Sequence, residues 1–529
     1  MRQYVACYQE TLSCLLASRP LSSCSRMSKY FMGDPTCAEM WKSTLRAAIW
    51  SGAFFLAVFG LFHGGHFYHV DEELHFLVAN SILDGNGGTI PAKQEAYYRG
   101  VRTGVNDFRA MGKFGLGGKF YAKAGLGQPL AAVPLAAVAR LVTRVFSTSN
   151  PQAIERLIVS LFSPVIAAAG LALWLVFILG LGCGRAKAFA VVCAIGISTF
   201  YFVQAKFFMN HMLVTVLLIL GLLCVQRALP NATGLMALAG FCAGWMVLTR
   251  IDCVFFAFLI PLFWLLKAWK SGEFRVRSLI WMCVMMVLPI LLLGSWNYVR
   301  FGHALDLGYN ITDPSQPNYD AFSSSLLPGL FGQILDLQAG LIWYAPVVPV
   351  AVAGFRKLFQ RSAPAFWVVA SGSLLPLVFY ARFGNWAGNV SWGPRFLLPS
   401  MPLAALGLVF LGEDCRGGLR RLKPLIYAAF ALGLAVQLSG VLADHNRGYW
   451  LMRDLIEESG AYAHLPYVRV LAQIRLLEER PPDLWWVSAW AQGSSGERGV
   501  VMILLAALVW LWIRSALSLR RALRAEGGA

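Results

Sequence analysis

The sequence predicts an all-α polytopic membrane protein of about twelve transmembrane helices, with further helices lying along the interface in a large first outer loop. Three observations carry that prediction. The chain is 57% hydrophobic and only 14% charged, with a mean hydropathy of +0.59; a soluble fold of 529 residues could not hide so much apolar surface. Apolar runs of spanning length recur along the whole chain. The net charge of +18 is gathered in short basic clusters between those runs, the pattern of connections retained on the cytoplasmic side. No nucleic-acid motif or aromatic-interleaved basic surface accompanies the charge, so the expected partner is a lipid bilayer and not nucleic acid.

Spans are read at 45–62, 157–181, 187–204, 207–226, 234–248, 252–268, 278–296, 338–355, 364–381, 395–411, 425–442 and 499–516. The connections that then face inward carry Arg185 and Lys187, Arg227, Lys267 to Arg277, Arg356 to Arg361, and Arg416 to Lys423, and the tail adds Arg514 to Arg524. Every inner connection is basic, which places both termini in the cytoplasm; the Arg- and Ala-rich composition suggests a bacterium, and so a plasma (bacterial inner) membrane. The apolar segment 124–146 is excluded from the spans because counting it would move all those basic connections outside. Its Pro129, Pro134, Arg140 and Arg144 suit a helix lying along the interface.

Residues 1–44 are polar, show no signal-peptide apolar core, and read as a cytoplasmic segment, or as residues upstream of a start at Met27, Met32 or Met40. Large outer segments follow at 63–156, 297–337 and 443–498. None of the 11 cysteines falls in them: Cys7, Cys14, Cys24 and Cys37 precede the first span, Cys183 and Cys415 lie in basic connections, and the rest lie in or beside spans. No disulfide framework and no CxxC metal pair is present. The basic residues of the first outer segment are translocated with it regardless of charge, and a phosphate-bearing ligand would account for them.

The stretch His66-Phe-Tyr-His69-Val-Asp71-Glu72-Glu73-Leu-His75 directly follows the first span. From Asp71 it reads as a short amphipathic helix with Leu74, Leu77, Val78, Ser81 and Ile82 on one face, ended by Gly85. Asp71 then stands at a helix N-terminus beside the membrane surface, where an aspartate equally serves to satisfy free backbone N–H groups. His66, His69 and His75 suggest a metal less than they suggest hydrogen bonds to headgroups or water. The carboxylates would accept a divalent ion, but nothing in their spacing requires one, and no cofactor is expected.

An Asp-Glu pair opening a surface helix after the first span resembles the first outer loop of the GT-C glycosyltransferases, in the branch of the protein O-mannosyltransferases and the aminoarabinose transferases of lipid A. Further motifs follow in the family's order. Tyr121-Ala-Lys123-Ala-Gly-Leu-Gly-Gln-Pro-Leu130 resembles its lysine segment, although Ala124 and Gly125 stand where the family often has two prolines. Glu155-Arg156-Leu157 resembles the arginine entering its second span. Asn297-Tyr298-Val-Arg300-Phe301-Gly302 with Gly308-Tyr309, Gly340-Leu-Ile-Trp-Tyr344-Ala-Pro346, and Trp386-Ala-Gly-Asn-Val-Ser-Trp392-Gly-Pro-Arg395 complete the set.

The resemblance covers 45–412, a GT-C-like catalytic module with outer loops 63–156, 297–337 and 382–394. Residues 413–529 form a C-terminal region with two spans and the outer segment 443–498. The resemblance implies a polyprenyl-phosphate sugar donor and an inverting transfer to an acceptor hydroxyl on a protein, lipid or envelope glycan. Asp71 is then the general base, with Glu72 orienting it and Glu73 beside it binding sugar or acceptor hydroxyls. Lys123, Arg395 and Arg250, near outer helix ends, are expected to hold the donor phosphate; interfacial snorkelling explains Arg395 equally well and Arg250 better. Tyr344, Trp386 and Trp392 are candidates for stacking on sugar, or members of the interfacial aromatic belt. Trp485, Trp486 and Trp490 would meet an acceptor glycan or headgroups. Asn310-Ile-Thr312 and Asn389-Val-Ser391 match glycosylation sequons.

Two other activities fit the topology. A secondary transporter would place charges at the bilayer midplane and carry an internal repeat, and neither is visible. A lipid-linked oligosaccharide polymerase or ligase shares the donor class, but the early Asp-Glu pair favours the simpler transferase.

Overall fold

The computed structural model describes residues 35–99, 101–102, 108–109, 111–123, 125–146, 150–228, 232–308, 322, 324–384, 386, 388, 391–411, 418–448 and 469–524. Cys7, Cys14, Cys24, Tyr309, the sequon at 310–312, Asn389, Cys415 and the stretch 449–468 of the last outer segment lie outside the described residues. The chain is a predominantly helical multi-spanning bundle whose long apolar helices run between two ends.

Each of the twelve predicted segments falls on helix. Among the described residues, eight helices are long and apolar enough to cross a membrane: Trp41–Leu61, Pro151–Gly180, Asn210–Arg227, Ile251–Ser271, Val276–Phe301, Ala363–Ala381, Leu422–Leu442 and Ser495–Leu523. The other four segments are shorter or broken. Segment 187–204 divides into Arg185–Ser198 and the one-turn Tyr201–Gln204, and 234–248 is the short helix Thr233–Thr249. Segment 338–355 divides into Leu341–Tyr344, Val347–Ala351 and Val352–Gly354, and 395–411 into Arg395–Leu397, Ser400–Ala404 and Ala405–Phe410. Pro346 and Pro399 stand at the head of new pieces, where a missing N–H interrupts the ladder.

Close backbone contact holds these helices. A Cβ on Gly240 would lie 1.9 Å from the Met282 carbonyl oxygen, and one on Gly244 2.2 Å from that of Met286. Helix Thr233–Thr249 therefore meets Val276–Phe301 through a small-xxx-small stripe, the packing that brings backbones together where lipid removes the hydrophobic drive. The two broken segments meet likewise: a Cβ on Gly354 would come 1.9 Å from the Gly407 carbonyl oxygen, and one on Gly407 2.0 Å from that of Ala351.

One end of the bundle is basic. Arg361 donates to the Leu181 and Gly182 carbonyls, both at 3.2 Å, and Lys267 to those of Val225 and Gln226 at 2.9 and 2.8 Å. Helix Phe162–Gly180 runs from there to the other end, where His63 lies 3.3 Å from the Ser160 carbonyl. The first large loop sits at that second end.

Two helices shape this loop. The site helix, Val70–Leu83, is buried nearly all round: Phe76 and Ala79 are covered as well as the predicted face of Leu74, Leu77, Val78 and Ser81. Its companion, Gly127–Val145, falls on the segment 124–146 excluded from the spans; it lays Ala132, Ala136 and Ala139 inward and leaves Val138, Leu141 and Val145 exposed. Arg140 clamps the pair, donating to the Asn80 side chain at 3.0 Å and forming a two-pronged ion pair with Asp84. Between them the all-α expectation meets two small antiparallel hairpins, Val101–Arg102 with Phe108–Arg109 and Gly112–Phe114 with Phe120–Ala122. Strands of two or three residues carry no readable periodicity.

Candidate active site

The site begins at the turn into the site helix. His69 is its N-cap residue and Glu72 its third. Glu72 Oε1 accepts the backbone N–H groups of Tyr68 and His69 at 3.1 and 3.0 Å, and Oε2 accepts that of Phe208 at 2.7 Å. The carboxylate that satisfies the free N–H groups is thus Glu72, fully buried, and the adjacent Asp71 is left with its side chain two-fifths exposed. Burial pushes the Glu72 carboxyl up to about 8, although its three N–H donors favour the charged form.

Asp71 faces cations. Arg395 Nη1 lies 3.8 Å from Asp71 Oδ2. Burial raises the Asp71 pKa, but Arg395, then Lys123, His75 and His69, outweigh it and hold the carboxyl below its ordinary value. His69 and His75 are themselves pushed down by burial, to about 3 and about 4, so near neutral pH both rings are uncharged. Arg395 Nε and His75 Nδ1 are buried without a hydrogen-bond partner. Buried donors of this kind are normally satisfied, and a ligand oxygen would satisfy them here.

Lys123 follows strand Phe120–Ala122 directly, and its own N–H donates to the Met111 carbonyl at 3.1 Å. The strand end is fixed by Arg300, which donates to the Ala122 carbonyl at 2.8 Å and to the Asn297 side chain at 2.7 Å. The motif at 297–302 therefore holds the lysine segment in place.

Arg250 and Arg395 both lie over the Phe396 ring, at 5.4 and 5.2 Å from its centroid. Arg250 is already neutralised, however. Its Nε donates to Asp252 Oδ1 at 2.9 Å, its Nη2 pairs with Oδ2, and its Nη1 lies 3.1 Å from His211 Nε2.

Other predicted residues have structural engagements. Glu73 is held by Arg156 in a two-pronged pair at 2.9 and 2.6 Å, which ties the site helix to the helix starting at Pro151. Tyr344 and Trp392 are fully buried, edge to face at 5.2 Å, and present no surface to a ligand. Trp392 Nε1 donates to Gln437 at 3.0 Å, and Gln437 donates to the Tyr344 carbonyl at 2.9 Å. Trp386 packs against Gly332, where a Cβ would come 2.3 Å from its ring.

Sequence reading passed over the partners of the loop leading to Asp71. Asp483 Oδ1 lies 2.8 Å from His66 Nε2, and Oδ2 accepts the Tyr68 hydroxyl at 2.7 Å and the Lys206 ammonium at 3.2 Å. Asn446 donates to the Tyr68 carbonyl at 2.6 Å, and His445 lies 3.3 Å from His69. Trp485 and Trp486 donate their indole N–H groups to the Gly60 and Leu61 carbonyls at 2.9 and 3.0 Å, satisfying the open end of the first spanning helix. A lone lysine between two spans was the one available signal for Lys206. Among the described residues, no group of three His, Cys, Asp or Glu side chains is arranged to hold a metal ion.

Fold and site together define a predominantly helical, multi-spanning membrane protein with a cation-faced carboxylate in its first large loop. No protein family's sequence profile matches the chain, and no curated protein sequence does. In three dimensions it is similar to ArnT from Cupriavidus metallidurans bound to undecaprenyl phosphate, with TM-score 0.47, 15% identity, and coverage of 90% of this chain and 76% of that one. The apo form of the same protein gives TM-score 0.45, 15% identity, and coverage of 92% and 76%. The archaeal oligosaccharyltransferase AglB from Archaeoglobus fulgidus, in complex with an inhibitory peptide and a dolichol-phosphate, gives TM-score 0.36, 13% identity, and coverage of 94% and 56%.

Proposed function

We propose that the protein is a membrane glycosyltransferase that moves a sugar from a polyprenyl-phosphate donor to an acceptor hydroxyl, with inversion at the anomeric carbon. The observation that carries this reading is the pairing of Asp71, partly exposed at the head of the site helix, with the Arg395 guanidinium, whose buried Nε has no hydrogen-bond partner. Its cationic neighbours keep Asp71 ionised and able to accept a proton. The acceptor oxygen would attack the anomeric carbon from the face opposite the phosphate. The new C–O bond forms as the bond to the phosphate oxygen breaks, the hydroxyl proton passes to Asp71, and the electron pair leaves with the polyprenyl phosphate. Arg395 and Lys123 would take up the charge growing on that phosphate, where fixed cations act most strongly. Glu72 orients Asp71 through the backbone and touches no substrate in this scheme. Glu73, Tyr344, Trp386 and Trp392 serve as scaffold, and Arg250 acts at a distance as one half of an ion pair.

The Asp71 end would face the outside of the plasma membrane, with both termini in the cytoplasm. The basic connections collected at the opposite end support that orientation.

The test uses the purified full chain in detergent, undecaprenyl-phosphate hexoses and pentoses, and envelope extract from a strain lacking the protein. Release of undecaprenyl phosphate coupled to labelling of the extract is expected without any sealed compartment. A protein that releases nothing across the panel, yet moves the same lipids between leaflets of sealed vesicles, would be a transporter.

A further inference from the structure

Asp483 lies far along the chain, in a C-terminal region where the sequence shows no motif, yet it is the meeting point of three segments at the site. Its side chain is 13% exposed and that of Lys206 3%. Both carboxylate oxygens are engaged: Oδ1 by His66, Oδ2 by the Tyr68 hydroxyl and the Lys206 ammonium. Lys206 also donates to the carbonyls of Val441 at 2.7 Å and of Asp483 itself at 3.3 Å. A backbone bond from the Asp483 N–H to the Leu442 carbonyl at 2.7 Å anchors the aspartate to the end of a spanning helix. Burial favours the neutral acid, but Lys206, His66 and Tyr68 overcome it and hold Asp483 well below the usual carboxylate range, so it is a fixed anion.

The geometry is tight. A Cβ on Gly64 would fall 1.7 Å from the Tyr68 hydroxyl oxygen and 3.1 Å from Asp483 Oδ2, so residue 64 must be glycine for this bond to form. The tie then continues toward Asp71. Tyr68 and His69 donate their backbone N–H groups to Glu72, whose other oxygen takes the Phe208 N–H two residues beyond Lys206. The result is a closed loop of bonds: Asp483 to Tyr68, Tyr68 to Glu72, Glu72 to Phe208, and Lys206 back to Asp483. Asp71 is the residue next to Glu72, on the one turn this loop immobilises.

We propose that Asp483, acting with Lys206, is a positioning residue that fixes the Asp71 carboxylate against Arg395 through Tyr68 and the first turn of the site helix. The C-terminal segment is thereby part of the catalytic apparatus although it holds no reacting group. This rests on the glycosyl-transfer reading above and deepens it.

The experiment compares wild type, Asp483→Asn, Tyr68→Phe and Asp71→Asn as full-length purified proteins in the undecaprenyl-phosphate sugar assay, across pH. Misplacing a reacting group by about 1 Å costs on the order of 100-fold in rate, so Asp483→Asn should lower kcat roughly 10- to 100-fold. Binding of undecaprenyl phosphate should stay near the wild-type value, because no cation facing Asp71 is altered. The decisive readout is the midpoint of the acid limb of kcat/KM. A carboxylate drawn away from Arg395 and Lys123 titrates higher, so the limb should move up by about half a unit or more. A mere loss of folded enzyme would scale the profile without moving it.

Tyr68→Phe removes only one hydroxyl and should show the same shift in smaller measure; it carries the test if Asp483→Asn does not fold. An unmoved limb in a folded variant overturns the proposal. If wild type itself transfers nothing while Asp71→Asn is equally silent, it is the glycosyl-transfer reading that falls.

Discussion

Arg395 Nη1 stands 3.8 Å from Asp71 Oδ2, near enough for strong attraction and too far for a hydrogen bond. Asp71 has no other ion pair and accepts no hydrogen bond among the described residues. Little of the fold depends on it, so Asp71→Asn should keep the thermal midpoint close to wild type. Its kcat should fall by roughly 10²- to 10⁴-fold, the range a positioned general base supplies. Undecaprenyl-phosphate release and a melting curve on the same sample check both halves, and a folded variant with normal turnover would remove Asp71 from the mechanism.

The two arginines that share Phe396 should separate cleanly in a binding experiment. Arg395 has a buried Nε without a partner, so Arg395→Ala should weaken undecaprenyl-phosphate binding roughly 10- to 100-fold, the size of one charge-assisted hydrogen bond. Arg250 is committed to Asp252, a pair only about one-fifth exposed. Arg250→Ala strands that carboxylate and should cost about 3 kcal/mol or more of stability. Titration with undecaprenyl phosphate, beside a melting curve, distinguishes the two. Equal loss of lipid binding in both folded variants would return Arg250 to the phosphate site.

Much of the architecture was legible because bilayer thickness fixes the length of an apolar run and charge fixes its direction. The same signals do not report where an apolar run breaks, which is why 187–204, 338–355 and 395–411 read as whole helices. Asp71 stands out in the sequence because it opens a helix just past a span, and the fold does place it at the head of that helix. Its division of labour with Glu72 does not stand out, since two adjacent carboxylates look alike until the fold shows which one reaches the Tyr68, His69 and Phe208 N–H groups. Tyr344 and Trp392 read as interfacial aromatics before they read as ligand platforms, and the fold buries both in the core. The pairing of Lys206 with Asp483 was invisible, because a charge pair joined across half the chain leaves no local pattern.

Glu73 offers a test of clasp against ligand contact. Its two-pronged bond to Arg156 joins two helices, with side chains 18% and 28% exposed. Glu73→Gln keeps the shape and loses the charge, and should destabilise the protein by about 1–2 kcal/mol. KM for the sugar donor should be unchanged. Arg156→Ala should give a similar loss, and the double variant should be no worse than either single one, as expected of residues that act as a pair. A severalfold rise in donor KM in Glu73→Gln, with stability intact, would instead make it a sugar ligand.

Glu72 should leave a signature in the pH dependence of stability. Its folded pKa is raised from 4.5 to about 8 by burial, so between those values the folded state binds a proton that the unfolded state has released. Stability from this group is full below the unfolded value and is lost as pH rises through about 8. Wild-type thermal midpoints measured in detergent should therefore decline from pH 5 toward pH 8 (about the span of that shift). Glu72→Gln has no proton to exchange and should flatten this decline. The variant pays elsewhere: a glutamine turned to accept from Tyr68 and His69 presents its NH₂ to the Phe208 N–H, leaving a buried donor unsatisfied at a cost of about 1–3 kcal/mol. The expected result is a curve lower than wild type at pH 5 and closing on it by pH 8, read from melting midpoints at matched detergent and salt. Parallel curves would mean that the three N–H groups keep Glu72 ionised throughout, and that the turn carrying Asp71 is held by a charge.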